Sequence, residues 1–353
     1  MTVRVTPQTR HNVLAWFAER RRPLPWRNNP TPWRVLVSEL MLQQTRVDTV
    51  VPRFETLIAR WPSPEAMARD TEADVVEAWA GLGYYARARS LYATAAAATE
   101  LGGLPEDPVA LRRLPGIGPY TAGAVLSLAF GKVAAAVDGN VERVLCRVAA
   151  LDADPRGSGR TALWELAEQL VVAAKDTPGA WNEALIELGA TVCTPRSPHC
   201  DSCPLAPDCL ARATGEPEQW PKLPPRTPPR PIRAAIGIVD VGHGILWGRR
   251  ARGGLLGGLW EPPRAEGGPD ELRALLLDLG VTLSSLSPLG EFVHVFTHRR
   301  LTATLWQVHG LAPRPFVASP YDRVEPGPVN RAGQSALSVK ALHVSGRART
   351  HQG

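Results

Sequence analysis

The sequence has no long hydrophobic run. Nowhere do its 353 residues offer the roughly 18 apolar residues in succession that a membrane-spanning helix needs. The first residues, MTVRVTPQTRHNVL, lack the apolar region of a signal peptide. We therefore expect a cytoplasmic protein. With 44% hydrophobic and 21% charged residues, the chain has the composition of an ordinary globular protein and is long enough for two domains.

Cysteine is scarce, and its distribution is uneven. The chain has five cysteines, and disulfide bonds are unusual in the cytoplasm. Four of them lie in one short segment, at Cys193, Cys200, Cys203 and Cys209, with the spacing C-x6-C-x2-C-x5-C. This pattern predicts a metal site and leaves zinc and an iron–sulfur cluster equally open. Cys146, alone in the helical run VERVLCRVAA, is expected to be a buried apolar residue.

Acidic residues are fewer than basic ones, which gives a net charge of +6. Nearly all the basic residues are arginine, whose guanidinium group binds phosphate in a bidentate manner. The charge is therefore compatible with a nucleic-acid partner. A GC-rich genome, which favours arginine codons, would give the same excess. The charge alone does not decide between these two explanations.

Hydrophobic periodicity divides the chain into two halves of different character. From about residue 7 to 192 the pattern is helical, as in TALWELAEQLVVAAK, and turn sequences such as WPSP separate the segments. After a Pro-rich stretch, RAAIGIVDVGHGILWGRR predicts a β-hairpin, GPDELRALLLDLG a helix and EFVHVFTHRRLTATLWQVHG two further strands. We therefore predict an all-helical domain at 1–212, a linker at 213–232, an α+β domain at 233–343 and a flexible tail at 344–353.

The segment LPGIGPYTAGA, residues 114–124, has two glycines and a proline immediately before a predicted helix. Gly116 and Gly118 allow backbone conformations that are closed to other residues, and they leave amide groups uncovered. Together with the N-terminal end of a helix expected to begin near Thr121, they would form an anion site suited to a DNA phosphate. An ordinary helix–turn–helix corner explains the glycines equally well.

Two carboxylates stand in unusual settings. Glu39 in VSELMLQQ has apolar neighbours on both sides and shares a helical face with Gln43. Asp138 in AAAVDGNVERVL lies where an apolar run ends and a helix begins. Either residue could serve in acid–base catalysis. The ordinary alternatives are a partly exposed helix residue for Glu39 and a helix N-cap for Asp138.

Several motifs occur in an order that is more specific than any one of them: LPWR, SELMLQQT, GLGYYARAR, LPGIGPYTAGA, VDGNVERVL, NEALIELGATVC and the cysteine segment. This series resembles the MutY family of adenine-specific mismatch DNA glycosylases, in the helix-hairpin-helix superfamily that also contains endonuclease III. The resemblance covers the helical half and extends more weakly into the second half. It implies an all-helical helix-hairpin-helix glycosylase domain, joined by the Pro-rich linker to an α+β domain of the Nudix (MutT) type.

The resemblance implies a base-excision repair enzyme that acts on double-stranded DNA. The enzyme would flip out and hydrolytically remove adenine mispaired with 8-oxoguanine or guanine. Glu39 would be the general acid at N7 of adenine, and Asp138 would stabilise positive charge at C1′ or form a transient covalent adduct. Tyr120 and Asn140 would hydrogen-bond around this pair. Bifunctional relatives have a lysine where this chain has Tyr120. Since a phenol cannot form a Schiff base, a monofunctional enzyme that leaves an abasic site is expected.

The remaining roles come from the same resemblance, motif by motif. The four cysteines at 193, 200, 203 and 209 would hold one [4Fe–4S] cluster. The adenine pocket would comprise Leu24, Trp26, Arg27 and Glu183. The residues that grip the DNA and wedge into it would be Gln43, Gln44, Thr45, Leu82, Tyr84, Gly116 and Gly118. Without the resemblance, Trp26 would be an ordinary core aromatic, and GLGYYARAR an ordinary glycine-capped helix end.

The second domain would recognise 8-oxoguanine through Phe296, Thr297 and His298, where relatives have Phe-Ser-His. An alternating strand with an ordinary threonine is the simpler explanation of the same residues. A working Nudix hydrolase needs a cluster of glutamates to bind Mg²⁺, but RALLLDLGV, residues 273–281, keeps only Asp278 as an acidic residue. A nucleotide hydrolase is therefore disfavoured.

Two other functions remain as alternatives. An endonuclease III-like lyase would act on oxidised pyrimidines, but Tyr120 and the second domain count against it. A non-catalytic DNA-binding module with a structural metal is opposed by the presence of both Glu39 and Asp138 in their motifs. We expect a monomer, associated with the nucleoid in the cytoplasm and not with a membrane.

Overall fold

A computed structural model of the chain describes residues 5–225, 227–251, 256–296, 298–311, 316–318, 320–329, 331 and 333–347. Contacts within the chain divide it into two compact units, which are described separately below. The first comprises Met1–Val75 and Ala86–Pro225, and the second comprises Val76–Tyr85 and Arg226–Gly353. The division after residue 225 falls within the segment 213–232 that composition marks as a linker. Most of the predicted tail, 344–353, lies outside the described residues.

Residues 5–225 are helical, as their periodicity predicts. The helices in this part are α1 Pro7–Arg20, α2 Pro32–Leu42, α3 Val47–Arg60, α4 Pro64–Ala68, α5 Glu72–Ala78, α6 Ala86–Glu100, α7 Pro108–Arg113, α8 Pro119–Ala124, α9 Gly139–Ala149, α10 Arg160–Ala173, α11 Pro178–Thr191 and α12 Leu210–Ala213. A single turn of π-helix, Val125–Ala129, continues α8. Among all the described residues, no helix is both long enough and apolar enough to cross a bilayer.

Polar caps and prolines explain where several of these helices begin. Thr6, Thr31, Ser63 and Asp107 each accept a hydrogen bond from the backbone amide three residues further on. Each of these residues is followed by a proline at the first helical position, where the missing amide hydrogen costs nothing. The turn sequences that separate the predicted helices therefore also define their N-terminal ends.

One hydrophobic core of the first unit is formed largely by α1, α9, α10 and α11. Phe17, Leu145, Trp181 and Leu188 belong to this core, and so does Cys146, which is fully buried as predicted. Helix α11 approaches the start of α9 so closely that a Cβ on Gly189 would lie 2.6 Å from the Cβ of Asn140. Only glycine fits at this position, and the contact fixes the two helices that carry much of the site described below.

From residue 227 on, the described part of the second unit forms two sheets and two helices. Its elements are β1 Arg230–Val239, β2 Ile245–Arg250, β3 Trp260–Glu261, β4 Arg264–Glu266, α13 Pro269–Asp278, β5 Thr282–Val295, β6 Arg299–Leu311, β7 Phe316–Ala318, β8 Tyr321–Gly327 and α14 Ala336–Val344. The strand orders are β4-β1-β6-β5 and β3-β2-β8-β7. The antiparallel pair β5–β6 and the helix α13 confirm the predictions for EFVHVFTHRRLTATLWQVHG and GPDELRALLLDLG.

The predicted hairpin between β1 and β2 is wrong. Both strands exist, but they belong to different sheets and share only the single bridge between Asp240 and Ile245. Instead, β1 pairs in parallel with β6 and antiparallel with β4. The last six residues of β1 are all buried, so this strand is central and needs a partner on each edge. Strands β4 and β6 occupy its two edges, so no edge remains for a ladder with β2.

Candidate active site

The largest concentration of predicted functional residues lies around one cavity of about 490 Å³ in the first unit. Its walls come from the segment after α1, from the end of α2, and from the starts of α8 and α9 and one face of α11. The sequence-predicted residues that line it are Leu24, Trp26, Arg27, Glu39, Gln43, Gln44, Thr45, Tyr120, Asp138, Asn140 and Glu183. The predicted DNA-contacting residues Leu82, Tyr84, Gly116 and Gly118 are not among the lining residues.

Glu39 is buried in the third turn of α2, with only 5% of its surface exposed. The alternative of a partly exposed helix residue is therefore wrong, because α2 buries most of its circumference. The pKa of Glu39 is raised to about 7, mainly by burial. The negative charge of Asp138 also raises this pKa, whereas a hydrogen bond from the Tyr120 hydroxyl to Glu39 Oε2 lowers it. The protein itself thus supplies the apolar surroundings, before any base enters the cavity.

Tyr120, in the first turn of α8, is the hydrogen-bond partner of Glu39. Burial raises the pKa of Tyr120 well above its usual value, and the charges of Glu39 and Asp138 act in the same direction. The phenol therefore stays protonated, and its hydroxyl donates to the carboxyl group of Glu39. It favours the ionised form of Glu39, so it keeps the pKa of that group from rising further.

Asp138 is the N-cap of α9 and also lines the cavity. Its Oδ1 accepts from the backbone amides of Asn140 and Val141 at 2.9 and 2.8 Å, and its Oδ2 accepts from Asn140 Nδ2 at 2.8 Å. Burial raises the pKa of Asp138 above its usual value, and the three hydrogen bonds offset this rise only in part. The N-cap and the active-site interpretations are compatible, since the capping bonds fix the carboxylate where it borders the cavity.

The amide of Asn140 is held in one orientation by a residue that the sequence did not indicate. Arg143 donates from Nη2 to Asn140 Oδ1 at 2.9 Å, which leaves the Asn140 NH₂ group to donate to Asp138. The same guanidinium donates to the carbonyl oxygens of Gly189 at 2.6 Å and Cys193 at 2.7 Å. Arg143 therefore ties the start of α9 to the end of α11 and to the first cysteine.

A network of charged groups joins the segment after α1 to α11 and contributes Arg22, Arg27 and Glu183 to the cavity wall. Arg27 donates from Nε to Glu183 Oε1 and from Nη2 to Glu187 Oε2, each at 2.9 Å. Arg22 donates from Nε and Nη2 to Glu187 at 2.7 and 3.0 Å. Burial acts to raise the pKa of Glu187, but the hydrogen bonds and charges of Arg22 and Arg27 outweigh it and hold that pKa below its usual value. Burial raises the pKa of Glu183, against the effect of Arg27.

Arg22 and Glu187 are functional-site residues that sequence reasoning missed. Glu187 follows Glu183 by one helical turn within the otherwise apolar segment ALIELGA. Two acids on the same face of such an apolar helix indicate a buried carboxylate, and a buried carboxylate requires a positively charged partner. Nothing in the sequence indicated Arg22 as that partner.

Aromatic and apolar side chains complete the cavity. Trp26 and Leu24 are both buried, and the Trp26 ring meets Phe54 edge to face, with 5.5 Å between ring centroids. Arg27 lies over the Phe17 ring at 5.3 Å. Trp26 is thus partly a core aromatic, as the simpler explanation had it, and it also contributes a wall of the cavity.

The turn after α2 brings Gln43, Gln44 and Thr45 to the mouth of the cavity. Gln44 has φ of 56°, a left-handed conformation that is unusual for a residue other than glycine. The buried Arg87 donates to the carbonyl oxygens of Leu40 and Met41 at 2.7 and 2.9 Å and to Thr45 Oγ1 at 3.1 Å. It satisfies carbonyls that the end of a helix leaves unpaired and thereby holds the turn.

The glycine hairpin lies between α7 and α8. Gly116 has φ of 74°, and a Cβ there would lie 2.5 Å from the Cβ of Ser90. A Cβ on Gly118, the residue before α8, would meet nothing within 4 Å, so its backbone is open on that side. Gly116 is therefore required for turning and close packing, whereas Gly118 leaves the backbone uncovered. Helix α8 begins at Pro119, two residues before the start near Thr121 that the sequence predicts.

Leu82 and Tyr84 belong to the segment that is grouped with the second unit. Leu82 is buried, whereas Tyr84 is 47% exposed and has φ of 48°. Gly81 and Gly83 both have positive φ, and Trp79 Nε1 donates to the Gly83 carbonyl at 3.1 Å. The glycine-rich turn that ends this helical stretch therefore presents Tyr84 outward and Leu82 inward. Their roles in DNA contact stay predictions.

The four cysteines of the segment 193–209 line one small cavity. The buried Arg147 donates from Nη1 to Cys193 Sγ at 3.3 Å and to the Thr194 carbonyl at 2.7 Å. Among the described residues, no three Cys, His, Asp or Glu side chains are placed to share one metal ion. Four thiols around one cavity are a donor set that suits an iron–sulfur cluster.

In the second unit, the turn between β5 and β6 carries Phe296 and His298, while Thr297 lies outside the described residues. Phe296 N donates to the Arg299 carbonyl at 2.8 Å, and the Phe296 ring packs against His294 with 4.6 Å between centroids. On α13, Asp278 is exposed. Glu271 in the first turn of that helix accepts from the Gly268 amide at 2.8 Å, which is a capping contact.

Comparison with known proteins identifies the class to which these features belong. Residues 37–169 match the HhH-GPD superfamily of base excision DNA repair proteins, 193–209 the iron–sulfur binding domain of endonuclease III and 234–343 the NUDIX domain. A thermostable thymine-DNA glycosylase is 30% identical, with a TM-score of 0.53 over 58% of this chain and 95% of that one. Endonuclease III in a covalent DNA complex shares the fold, at 23% identity and a TM-score of 0.50 over 60% and 99% of the two chains. The class is that of helix-hairpin-helix DNA repair glycosylases with an iron–sulfur segment.

Full-length relatives make the assignment more specific. The adenine DNA glycosylases of Homo sapiens and Rattus norvegicus are 38% and 37% identical over 86% of this chain, which corresponds to 66% and 70% of their own lengths. That of Mycobacterium tuberculosis H37Rv is 40% identical over 64% of this chain and 73% of its own length. The chain belongs to the adenine DNA glycosylase family, a family of base-excision repair enzymes. The resemblance and fold class inferred from the sequence are confirmed, and the match at 193–209 supports an iron–sulfur cluster.

Proposed function

We propose that this protein removes adenine mispaired with 8-oxoguanine or guanine in double-stranded DNA by hydrolysis and leaves an abasic site. One observation carries the proposal: a buried carboxyl, Glu39, with a pKa of about 7, borders the same cavity as a second carboxyl, Asp138. The first can hold a proton at neutral pH, and the second is surrounded by donors that favour its charged form. This is the division of roles that cleavage of a glycosidic bond requires.

The reaction begins when adenine leaves the base stack and enters the cavity, at a cost of a few kcal/mol. Glu39 transfers its proton to N7, which turns adenine into a better leaving group as the bond to C1′ breaks. Asp138 stabilises the positive charge that develops at C1′, either as a carboxylate or through a transient covalent bond. Glu39, now ionised, takes a proton from the water that attacks C1′. Tyr120 and Asn140 hold the two carboxyls in place.

None of the described residues that line the cavity is a lysine, which supports a monofunctional reaction. Tyr120 occupies the place of the lysine in bifunctional relatives, and its hydroxyl donates to Glu39. A phenol cannot form a Schiff base with the sugar, so the strand is not cleaved by β-elimination. Tyr120 instead adjusts the acidity of Glu39.

In the adenine pocket, Leu24 and Trp26 form the apolar walls. Arg27 and Glu183 form its polar edge. Gln43, Gln44 and Thr45 at the mouth, with Leu82, Tyr84 and the hairpin glycines Gly116 and Gly118, contact the DNA around the extruded base. The left-handed conformation of Gln44, in the turn that Arg87 binds through Thr45, supports a role for this turn in DNA contact, because strained residues are common at binding sites.

The cysteine segment would hold a [4Fe–4S] cluster through Cys193, Cys200, Cys203 and Cys209. The cavity that these four thiols share, and the buried Arg147 beside Cys193, suit an anionic thiolate cluster. A bound cluster would cross-link the segment and supply a redox centre. Since Arg143 contacts both Asn140 and the Cys193 carbonyl, the folded segment supports the start of α9.

The second domain recognises 8-oxoguanine as a binding module and does not hydrolyse nucleotides. Phe296, Thr297 and His298 between β5 and β6 make this contact. The acidic residues of α13 support the absence of hydrolysis, because Glu271 serves as a cap and the helix adds only Asp270 and Asp278, at opposite ends, as further acids. We further propose that the protein acts as a monomer at the nucleoid.

Base release from three duplexes tests this function. They carry adenine opposite 8-oxoguanine, adenine opposite guanine, and thymine glycol opposite adenine, and each product is analysed with and without alkali. Adenine release with strand breaks only after alkali is expected, with 8-oxoguanine preferred over guanine. Breakage at thymine glycol without alkali would instead identify a lyase. DNA binding without any base release would identify a non-catalytic module.

A further inference from the structure

Two acids one turn apart on α11 share a single arginine. Glu187 is fully buried, while Glu183 borders the cavity with a side chain that is 20% exposed. Arg27 lies between them and is itself almost entirely buried. The family resemblance suggested roles for Arg27 and Glu183 but gave none to Glu187.

The donors of Arg27 are divided among three acceptors. Nε donates to Glu183 Oε1, Nη2 to Glu187 Oε2 and Nη1 to the Arg22 carbonyl, each at 2.9 Å. A guanidinium next to one carboxylate normally binds both of its oxygens with two parallel hydrogen bonds. Here Glu183 receives only one such bond. Within the described part of the chain, Glu183 Oε2 has no hydrogen-bond partner.

We propose that Glu187 is a positioning residue that sets the preference for an amino-substituted base. By holding Arg27 through Nη2, it keeps Glu183 Oε2 available to accept a hydrogen bond from the exocyclic amine of the base in the cavity. This inference rests on the proposed function, since it concerns the base that the same cavity binds. Glu187 does not touch the base and acts through Arg27 and Glu183.

Arg22 explains how Glu187 can perform this role while buried. Its Nε and Nη2 and its backbone amide all donate to Glu187, so the acid remains charged and fixed in place. Without the negative charge of Glu187, Glu183 becomes the strongest acceptor within reach of Arg27. The guanidinium then binds both oxygens of Glu183, and the acceptor for the amine is lost.

The test compares adenine with unsubstituted purine, which lacks the exocyclic amine. Each is placed opposite guanine in the same duplex, and single-turnover base release is measured for the wild type and for Glu187→Gln. The ratio of adenine to purine release is expected to fall at least about tenfold in Glu187→Gln, the lower end of what a hydrogen bond to a charged group contributes. Glu19→Gln, an exposed acid on α1, is the matched control and should leave the ratio unchanged.

Two further variants separate positioning from general damage to the fold. Arg22→Lys alters a partner of Glu187 but keeps a positive charge beside it, so Glu187 stays ionised toward Arg27 and the ratio should be retained even where both rates fall. In a Glu183→Gln background, adding Glu187→Gln should not lower the ratio further, because both changes remove the same acceptor. A merely structural role for Glu187 would slow both substrates equally in every background.

The inference is overturned if the wild type releases both bases and Glu187→Gln keeps the wild-type ratio. It is also overturned if Arg22→Lys, which is available even should Glu187→Gln not fold, loses the preference for adenine. Failure of the proposed function gives a different result, in which the wild type releases neither base.

Discussion

The buried carboxyl of Glu39 makes the stability of the protein depend on pH, and Glu39→Gln should remove that dependence. Burial raises the pKa of this group from 4.5 to about 7. A carboxyl whose pKa is raised by folding favours the folded state at low pH, and this contribution is lost as the pH rises from about 4.5 through about 7. At 1.36 kcal/mol per pKa unit, the loss amounts to about 3 kcal/mol.

Glutamine is neutral at every pH and can still accept the hydrogen bond from Tyr120. Glu39→Gln should therefore unfold with a free energy up to about 3 kcal/mol higher than the wild type at pH 8, and differ by less than about 1 kcal/mol at pH 5. At 2–4 °C per kcal/mol for a domain of this size, the thermal midpoint should rise by about 6–12 °C at pH 8. Thermal unfolding followed by tryptophan fluorescence at both pH values measures this difference.

The same variant should release adenine far more slowly, since glutamine cannot donate a proton to N7. Glu19→Gln, which removes an exposed acid from α1, should change neither stability nor its pH dependence. A stability gain in Glu39→Gln that is equal at pH 5 and pH 8, or absent at both, would show that Glu39 does not carry a raised pKa in the folded protein.

Three further predictions follow from the same contacts. Tyr120→Phe removes a hydrogen bond that favours ionised Glu39, so the fall of adenine release at high pH should move up by about one to two pH units. Gly189→Ala places a methyl group 2.6 Å from the Cβ of Asn140. It should destabilise the protein by about 1–3 kcal/mol in urea unfolding and slow base release. Cys200→Ser should lower the iron content measured by chemical analysis and the absorbance of the cluster.

Each of these predictions has its own control. Tyr92→Phe on α6 removes a phenol that does not border the cavity and should leave the pH profile in place. Gly118→Ala introduces a methyl group at a position with nothing within 4 Å and should be far less destabilising than Gly189→Ala. Cys146→Ser should retain iron, because Cys146 lies in the helical core. An unchanged pH profile in Tyr120→Phe, or full iron loading in Cys200→Ser, would contradict the roles given to these residues.

Features of the site that depend on local sequence were predictable. Asp138 was recognisable as an N-cap because the change from an apolar run to a helix is visible within a few residues. The hairpin glycines and the cysteine segment were likewise recognisable from spacing alone. The order of these motifs then carried the resemblance to the family, which the comparisons confirm.

Features that depend on distant partners were not predictable from the residues themselves. Arg27 lies 156 residues from Glu183, and Arg143 lies 50 residues from Cys193. The burial of Glu39 depends on helices that pack around α2. The sequence around Glu39 does not reveal this packing, so it was equally compatible with a partly exposed residue. The error at β1 has the same origin, because its parallel partner β6 follows far along the chain while β2 follows within a few residues.

The pH dependence of single-turnover adenine release tests the central claim, that buried Glu39 donates the proton that frees the base. The duplex carries adenine opposite 8-oxoguanine, and a reaction without protein corrects for acid depurination between pH 5 and 9. The rate should be nearly constant below about pH 6 and fall tenfold per pH unit above about 7, where Glu39 loses its proton. A rate that rises with pH through 7, or that does not change across it, would contradict the account.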